Sequence, residues 1–502
     1  MTYNATMKRA SAFSITCLLF AALTHAAAQT PAPNGVLSPV WSEAFRYLAE
    51  KNETPDFHLN VQPYNIQEAE AVLLNIRRSD ADPLDRRLAR QLLDDLPNSS
   101  PGATLNARAG ISQNALPYLN GAFHLLHPKG AELILETRVF PAGDRKDPLP
   151  GASTAQFRTR PWNPFDAFPD DGYSADFTRA ALSAHISGIN ISLGRMPFRW
   201  GPGMRAALLL SDDSPSLDGI FINGAFGQIK GCAVFAYLNR IWSGAGTERY
   251  LARRYISARR LNWKPSPSLE IGLSDAVVYG GDLRAPEIHY LNPILPLYAS
   301  QFNAAKDASH ADLDDNVMAS LDVQWKPAKR HALHAEILID DLRYDPKSND
   351  PQALAWLVGW RRAAQNDAGE WSLEYSRVRR FTYTHLKQEN RYTHYSRSLG
   401  HFLGNDADLL HASYARFLSP NIRASFAVEQ RRKGDSTVND RYRGETDISF
   451  LKGTAKTTRA AELRVWARRQ NWLARCGLSV QFTRGQTRPS IEWTGSIERA
   501  FR

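Results

Sequence analysis

Period-two alternation dominates the chain from about residue 105 onward. In SLEIGLSDA, Leu269, Ile271 and Leu273 alternate with Glu270, Gly272 and Ser274. In HALHAEILID, Leu333, Ala335, Ile337 and Ile339 oppose His334, Glu336 and Asp340. NIRASFAVEQ sets Ile422, Ala424, Phe426 and Val428 against Arg423, Ser425 and Glu429. ELRVWARR sets Leu463, Val465 and Ala467 against Arg464, Trp466 and Arg468, and LSVQF repeats the pattern. Each run reads as a strand with one apolar face. Short links such as KPSPS (264–268) and long ones such as 306–316 and 431–447 separate the runs.

Before residue 105 the period is helical. WSEAFRYLAEK is short and amphipathic. In NIQEAEAVLL, Asn65 with Glu68 three residues on makes a capping-box pattern. In ADPLDRRLARQLLDDL, Asp82 is a cap and Pro83 suits the first turn. Leu84, Leu88 and Leu92 then share one face. The sequence thus divides into a linker at 29–40, a helical module at 41–104 and a β-region at 105–502.

The first 28 residues read as a secretory signal peptide. Lys8 and Arg9 precede an apolar stretch from Ser14 to Leu23, and Ala26–Ala28 supply a cleavage site. Export through the Sec pathway follows. After the signal no run of about 18 apolar residues occurs, so no membrane-spanning helix is expected. Mean hydropathy is −0.40, which suits a soluble secreted protein and an outer-membrane barrel equally, because only alternate barrel residues face lipid.

The alternatives for the β-region are a soluble sandwich or propeller and a transmembrane barrel. Three features favour the barrel. Arg and Glu recur on the polar face, as in a wet lumen. Trp and Tyr gather near run ends, as in an interfacial girdle. The last strand, SIEWTGSIERAFR, puts Ile491, Trp493, Ile497 and Phe501 on one face. At roughly 20–25 residues per strand with its connection, the span holds about 16–18 antiparallel strands.

Charge changes the picture of partners. The net charge is +10, and an exported basic chain without a nucleic-acid motif meets lipid phosphates or an acidic glycan rather than nucleic acid. Of the three cysteines, Cys17 lies in the signal, leaving Cys232 and Cys476 without a CxxC. Ser274 lacks the glycine frame of a nucleophile elbow. His385, His394, His401 and His411, and the acidic loop around His310, lack metal-ligand spacing. No catalytic residue, cofactor or metal is expected.

The stretch RWGPGMRAALLLSDDSPSLDGIFI (199–222) resembles a motif of the capsule assembly Wzi family of outer-membrane barrels. QPYNIQEAEAVL, ISARRLNWKPSPSLEIGLSDAVVYGG, DNVMASLDVQW and RYTHYSRSLGHFLGNDADLL occur in the family's order. The resemblance implies an all-β transmembrane barrel of 18 strands with a small N-terminal periplasmic α-helical module. It implies a lectin-like protein holding capsular or exopolysaccharide at the cell surface, not an enzyme. Partners are then an acidic surface polysaccharide, outer-membrane lipid and lipopolysaccharide, and the barrel-assembly machinery. A porin-like channel for small solutes is the alternative, and an outer-membrane hydrolase the third.

Within the motif, Gly201, Pro202 and Gly203 read first as a folding device. Trp200 is expected in the membrane interface. Arg199 and Trp200 are also candidate glycan contacts, because aromatic faces stack on sugars and arginine pairs with carboxylates. Arg441, Tyr442 and Arg443, in the long loop 431–447, complete the candidate set.

Overall fold

A computed structural model describes residues 39–501 except 53, 55–56, 65, 97–101, 113–114, 127–130, 142–172, 245, 293–295, 298–313, 342–350, 365–368, 441, 443, 445–448 and 471. The signal peptide, Asn65, His310, Arg441 and Arg443 lie outside the described residues. Helices α1 (Pro39–Lys51), α2 (Ile66–Arg78) and α3 (Pro83–Asp95) come first, with the two-residue strand β1 (Val61–Gln62) between α1 and α2. The helices and the first barrel strand begin at Pro39 and Gly102, slightly upstream of positions 41 and 105.

The first barrel strands are β2 (Gly102–Ser112), β3 (Ala115–Leu126), β4 (Ala131–Pro141), β5 (Tyr173–Ile186) and β6 (Ile189–Met196). A short lumenal strand, β7 (Arg199–Trp200), interrupts the series. The wall resumes with β8 (Leu217–Phe226), β9 (Ile229–Ser243), β10 (Tyr250–Ser266) and β11 (Leu269–Gly281). After the one-turn helix α4 (Ile288–Leu291) come β12 (Asn316–Ala328), β13 (His331–Asp341), β14 (Ala353–Ala363) and β15 (Gly369–Val378). A small hairpin follows, β16 (Thr393–His394) with β17 (Arg397–Ser398). The last wall strands are β18 (Ala407–Ser419), β19 (Ile422–Lys433), β20 (Lys456–Arg469), β21 (Trp472–Thr483) and β22 (Ser490–Phe501).

Eighteen strands close into one antiparallel barrel, sealed where β2 pairs with β22 from Leu105↔Phe501 to Ser112↔Thr494. Closure satisfies every ladder and leaves no edge, the only way strands can stand in hydrocarbon. The alternation sorts residues as their polarity requires. Leu273, Leu333, Ile337, Phe426, Leu463, Leu478, Ile491 and Ile497 face outward and exposed. Trp263, Trp325, Trp371 and Trp472 stand on the outer wall near the short turns, as a girdle does. No described helix is long and apolar enough to cross a membrane.

Among the described residues, two inward loops fill the lumen. Its upper layer is an apolar core in which Leu208, Leu209, Leu210, Tyr383, Tyr392 and Leu399 from two inward loops pack against Val234, Ile256, Met318, Leu338 and Leu357 of the wall. Inner-face charges form buried pairs, among them Arg260 with Asp322 at 2.6 Å and His334 with Glu374 at 3.0 Å.

The helical module closes the short-turn end. Trp41, Phe45, Phe57 and Tyr64 form an aromatic cluster, with Trp41 and Phe45 stacked at 4.8 Å. Leu88 and Leu92 of α3 join it, and Phe417 and Trp466 of the wall complete the same core. Trp466 therefore faces the module, where its ring fills space between wall and helix. Arg423 pairs with Glu43, Arg361 with Glu50, and Lys230 with Glu68 at 2.8 Å. Asp82 occupies the N-cap position of α3 but makes no side-chain cap; its carboxylate pairs with Lys51 at 2.7 Å instead. A full charge partner outcompetes a neutral N–H here.

Phe45 is the most enclosed of these rings. Phe45→Ala should cost the module about 3–5 kcal/mol. Limited trypsin treatment should then cut within residues 39–96 while the barrel keeps its heat-modifiable gel mobility; an uncut module would contradict this.

Candidate functional site

The motif singled out in the sequence is not on the membrane surface. After β6 the chain turns into the lumen, and β7 pairs antiparallel with β1, Trp200 opposite Val61. Trp200 is 2% exposed within the lumenal core, so its expected place in the membrane interface is corrected. The cause is visible in its backbone: Trp200 N–H donates to Leu210 O, and Gly201 N–H donates to Asn60 O. Those bonds hold the ring against the interior.

Gly201 has φ of +109°, and a Cβ there would lie 2.6 Å from Glu336 Oε2. At Gly203 a Cβ would meet Ala206 O at 2.0 Å. Neither position admits a side chain. Pro202 contributes its carbonyl, which accepts from Arg361 at 2.6 Å and from Arg46 at 3.2 Å. Wall, loop and helical module meet at this one oxygen.

Beyond the turn, residues 204–206 present three successive backbone N–H groups to a single carboxylate. Glu374 of β15 accepts from Met204 N at 2.6 Å, Arg205 N at 3.0 Å and Ala206 N at 3.1 Å. His334 stands 3.0 Å from the same carboxylate. Arg199 is buried too. It pairs with Asp212 at 2.7 Å and donates to the carbonyls of Gly203, Met204 and Ala206. Both Arg199 and Trp200 are thus engaged in closing the loop on itself, and a saccharide outside the barrel does not reach them. This corrects their expected place at a glycan surface.

The second inward loop, 379–406, lies on the first. Tyr383 Oη donates to Leu208 O at 2.6 Å, Tyr392 Oη donates to Leu209 O at 3.0 Å, and Ser211 N donates to Leu399 O at 2.9 Å. His401 Nδ1 accepts from Leu403 N–H, so Nε2 carries the proton and donates to Ser376 Oγ at 2.9 Å. Burial, with Arg205 nearby, pushes the His401 imidazole down to about 3. Burial, with Arg254 nearby, does the same to His394. His411 instead meets Glu429, and His385 meets Asp314. These four histidines sit in separate settings.

Above the two loops a third, 434–455, is fastened by Asp406. Its carboxylate accepts from Leu451 N at 2.7 Å and Lys452 N at 3.0 Å. Tyr442 packs edge-on against Phe381 at 5.4 Å, beside Arg380, whose guanidinium lies 4.7 Å over the same ring. Arg391 donates to Asn439. Of the candidate residues, Tyr442 alone is described and partly exposed at this end. Glu374 and Tyr383 lie outside every stretch singled out in the sequence, and Tyr392 and Asp406 fall within RYTHYSRSLGHFLGNDADLL without any local pattern that marks them as anchors.

Residues 98–481 match the model of the family Capsule assembly protein Wzi. The chain belongs to the capsule assembly protein Wzi family. Among solved structures it is similar to Wzi of Escherichia coli, an outer-membrane protein involved in group 1 capsule assembly and a carbohydrate-binding β-barrel. The TM-score is 0.67 at 15% identity, over 93% of this chain and 99% of that one. It is also similar to OccAB2 of Acinetobacter baumannii (TM-score 0.48, 11% identity, 80% and 97% covered) and to OprD of Pseudomonas aeruginosa (0.45, 12%, 80% and 95%). No curated protein sequence matches the chain. This Wzi-family barrel is an outer-membrane protein. Its two remaining cysteines are both free: Cys232 packs against the lumenal core, and Cys476 is exposed on the outer wall.

Two outcomes follow from the plug. Glu374→Ala strands three backbone donors at about 1–3 kcal/mol for each buried group left unpaired. It should release loop 197–216 and raise single-channel conductance in planar bilayers; conductance equal to wild type would deny Glu374 this role. The two buried histidines give a pH response. Their folded pKa lies below the unfolded 6.5, so the unfolded chain binds more protons between the two values. Their stabilisation is full above pH 6.5 and falls as pH drops toward 3. Proteolysis of loop 379–406 should speed up from pH 7.5 to pH 5, and His401→Asn should flatten that slope.

Proposed function

We propose that this protein holds an acidic capsular or exopolysaccharide at the cell surface, as a binding barrel rather than an enzyme. The observation that carries the reading is the family match over residues 98–481, joined to a lumen occupied by two inward loops and capped by helices. A solute channel needs an open path with a selective constriction, and Leu208–Leu210 stand where that path would run. Short turns face the periplasm in outer-membrane barrels and longer loops face outward. The helical module is then periplasmic, and loops 379–406 and 434–455 form the outer surface.

Tyr442, with its sequence neighbours Arg441 and Arg443, is the proposed glycan contact. The aromatic ring offers a sugar-stacking face, and the two guanidiniums offer bidentate partners for uronate carboxylates. Support comes from the packing around it: the Tyr442 ring stands edge-on to Phe381, which Arg380 covers, and Asp406 fastens the loop at Leu451 and Lys452. A fixed surface binds a long chain without losing entropy to its own ordering.

The test is the partition of polysaccharide between washed cells and medium. Deleting the gene should leave total polysaccharide unchanged and move it into the medium, and Arg441→Ser with Arg443→Ser should reproduce much of that shift with normal barrel assembly. An unchanged partition in the deletion would end the retention reading; an unchanged partition in the double variant alone would remove this loop from the site.

A further inference from the structure

The outer wall of β10 and β11 departs from the lipid-facing pattern. On β10 the outward row runs Arg253, Tyr255, Ser257, Arg259, Leu261, Trp263. Leu261 and Trp263 are exposed, as a lipid face requires, yet Tyr255 is 5%, Ser257 1% and Arg259 6% exposed. Residues 284–292, with Pro296 and Leu297, drape over them from outside. Tyr255 Oη donates to Arg284 O at 2.8 Å, Ser257 Oγ donates to Tyr290 O at 2.6 Å, and Arg259 donates to Asn292 O. Leu297 N–H donates to Asp275 of β11 at 2.8 Å, and Tyr290 packs on Tyr279 at 4.8 Å. Two apolar side chains stand outward here: Leu283, just before the strap, is 72% exposed with φ of +53°, and Ile288 on it is 84% exposed.

At the top of the strap the wall carries a cluster of cations. A β-bulge between β9 and β10 sets Asn239 and Arg240 opposite the single residue Arg253, and such bulges re-aim side chains. Arg240 is exposed and Arg253 partly so. Arg253 also pairs across to Gly281 of β11, three residues from Arg284, whose guanidinium lies 4.9 Å over the Tyr279 ring. Arg249 lies 4.8 Å over the exposed ring of Trp242, just above. Arg284 is committed to Asp315 and Glu287, whereas Arg240 and Arg253 have no acid partner among the described residues. The acids near them are Glu248 and Asp282, both exposed.

Height fixes what these arginines meet. Arg253 stands ten residues above Trp263 on one strand. At roughly 3.3 Å per residue and about 40° of tilt, that is about 25 Å, the height of a barrel's apolar band. If Trp263 marks one interface, Arg240 and Arg253 lie at the headgroup level of the opposite leaflet, on the outer side of the wall and not over its mouth.

We propose that Arg240, Arg249 and Arg253 bind the phosphate of an acylated glycolipid of the outer leaflet, with Leu283 and the strap's Ile288 against its acyl chains. The phosphate bridges the arginines at the bulge, the Trp242 ring borders the sugar, and the strap replaces lipid over the polar Ser257–Arg259–Asp275 patch. The site rests on the outward orientation of the long loops and not on polysaccharide retention, so either can fail without the other.

The test uses the full protein in detergent, with bisphosphorylated lipid A as probe and native mass spectrometry as readout. Wild type should retain lipid A and retain its dephosphorylated form far less. The triple variant Arg240→Ser, Arg249→Ser, Arg253→Ser should lose binding by roughly tenfold or more, since surface arginines contribute strongly to anionic-lipid attraction. Ile288→Glu should weaken it with the arginines intact. Heat-modifiable mobility checks that each variant is folded. Equal binding by wild type and triple variant overturns the proposal. So does equal binding of the dephosphorylated lipid, or loss of acidic polysaccharide in place of lipid A.

Discussion

One carboxylate sets the interior of this barrel. Glu374 is fully enclosed and accepts three backbone N–H groups in a row from residues 204–206. A buried carboxylate costs several kcal/mol to desolvate, and only dense hydrogen bonding offsets that. The three donors would be equally costly alone, since a turn inside a barrel has no ladder to join. Each side makes the other tenable. Once the turn at 204–206 is fixed, Leu208–Leu210 must stand in the lumen, and Tyr383 and Tyr392 find the carbonyls they bond.

An outer-membrane barrel is apolar outside by necessity, which leaves its interior free to be polar. Here the interior holds both kinds of packing in layers. Toward the long loops it is a core of Leu, Val, Met and Tyr. Toward the helices it is a set of ion pairs, Arg260–Asp322 and Arg361–Glu50 among them. The helical module supplies carbonyls as well as charges: Lys264 of the wall donates to Thr54 O and Phe57 O. Polar wall residues that would line water in an open barrel bind protein instead.

The wall was legible in the sequence because its physics is local. Leu333, Ala335 and Ile337 alternate with His334 and Glu336 because adjacent residues of a strand face lipid and lumen in turn. The helical face of Leu88 and Leu92 is legible for the same reason. The plug was not. Glu374 reads as one more polar position in a strand, and its partners lie 168 to 170 residues away. Trp200 follows a strand and precedes a Gly-Pro-Gly turn, which describes an interfacial residue as well as a buried one. Only pairing with β1, far upstream, separates the two. Ser257 and Arg259 read as breaks in a lipid face, because nothing local announces a strap that returns to cover them.

The joint at Pro202 O gives these layers a mechanical consequence. Arg361 belongs to the wall, Arg46 to α1, and both donate to the same carbonyl of the loop. Glu50 ties the two arginines together from the helical side. The loop cannot shift without breaking a bond to the module, and the module cannot withdraw without unsettling the loop. Residues 379–406 rest on that loop, and loop 434–455 is pinned through Asp406 at their end. The long-loop end is therefore held in shape by contacts that run through the barrel to the helices, so it gains its rigidity from the opposite end of the molecule.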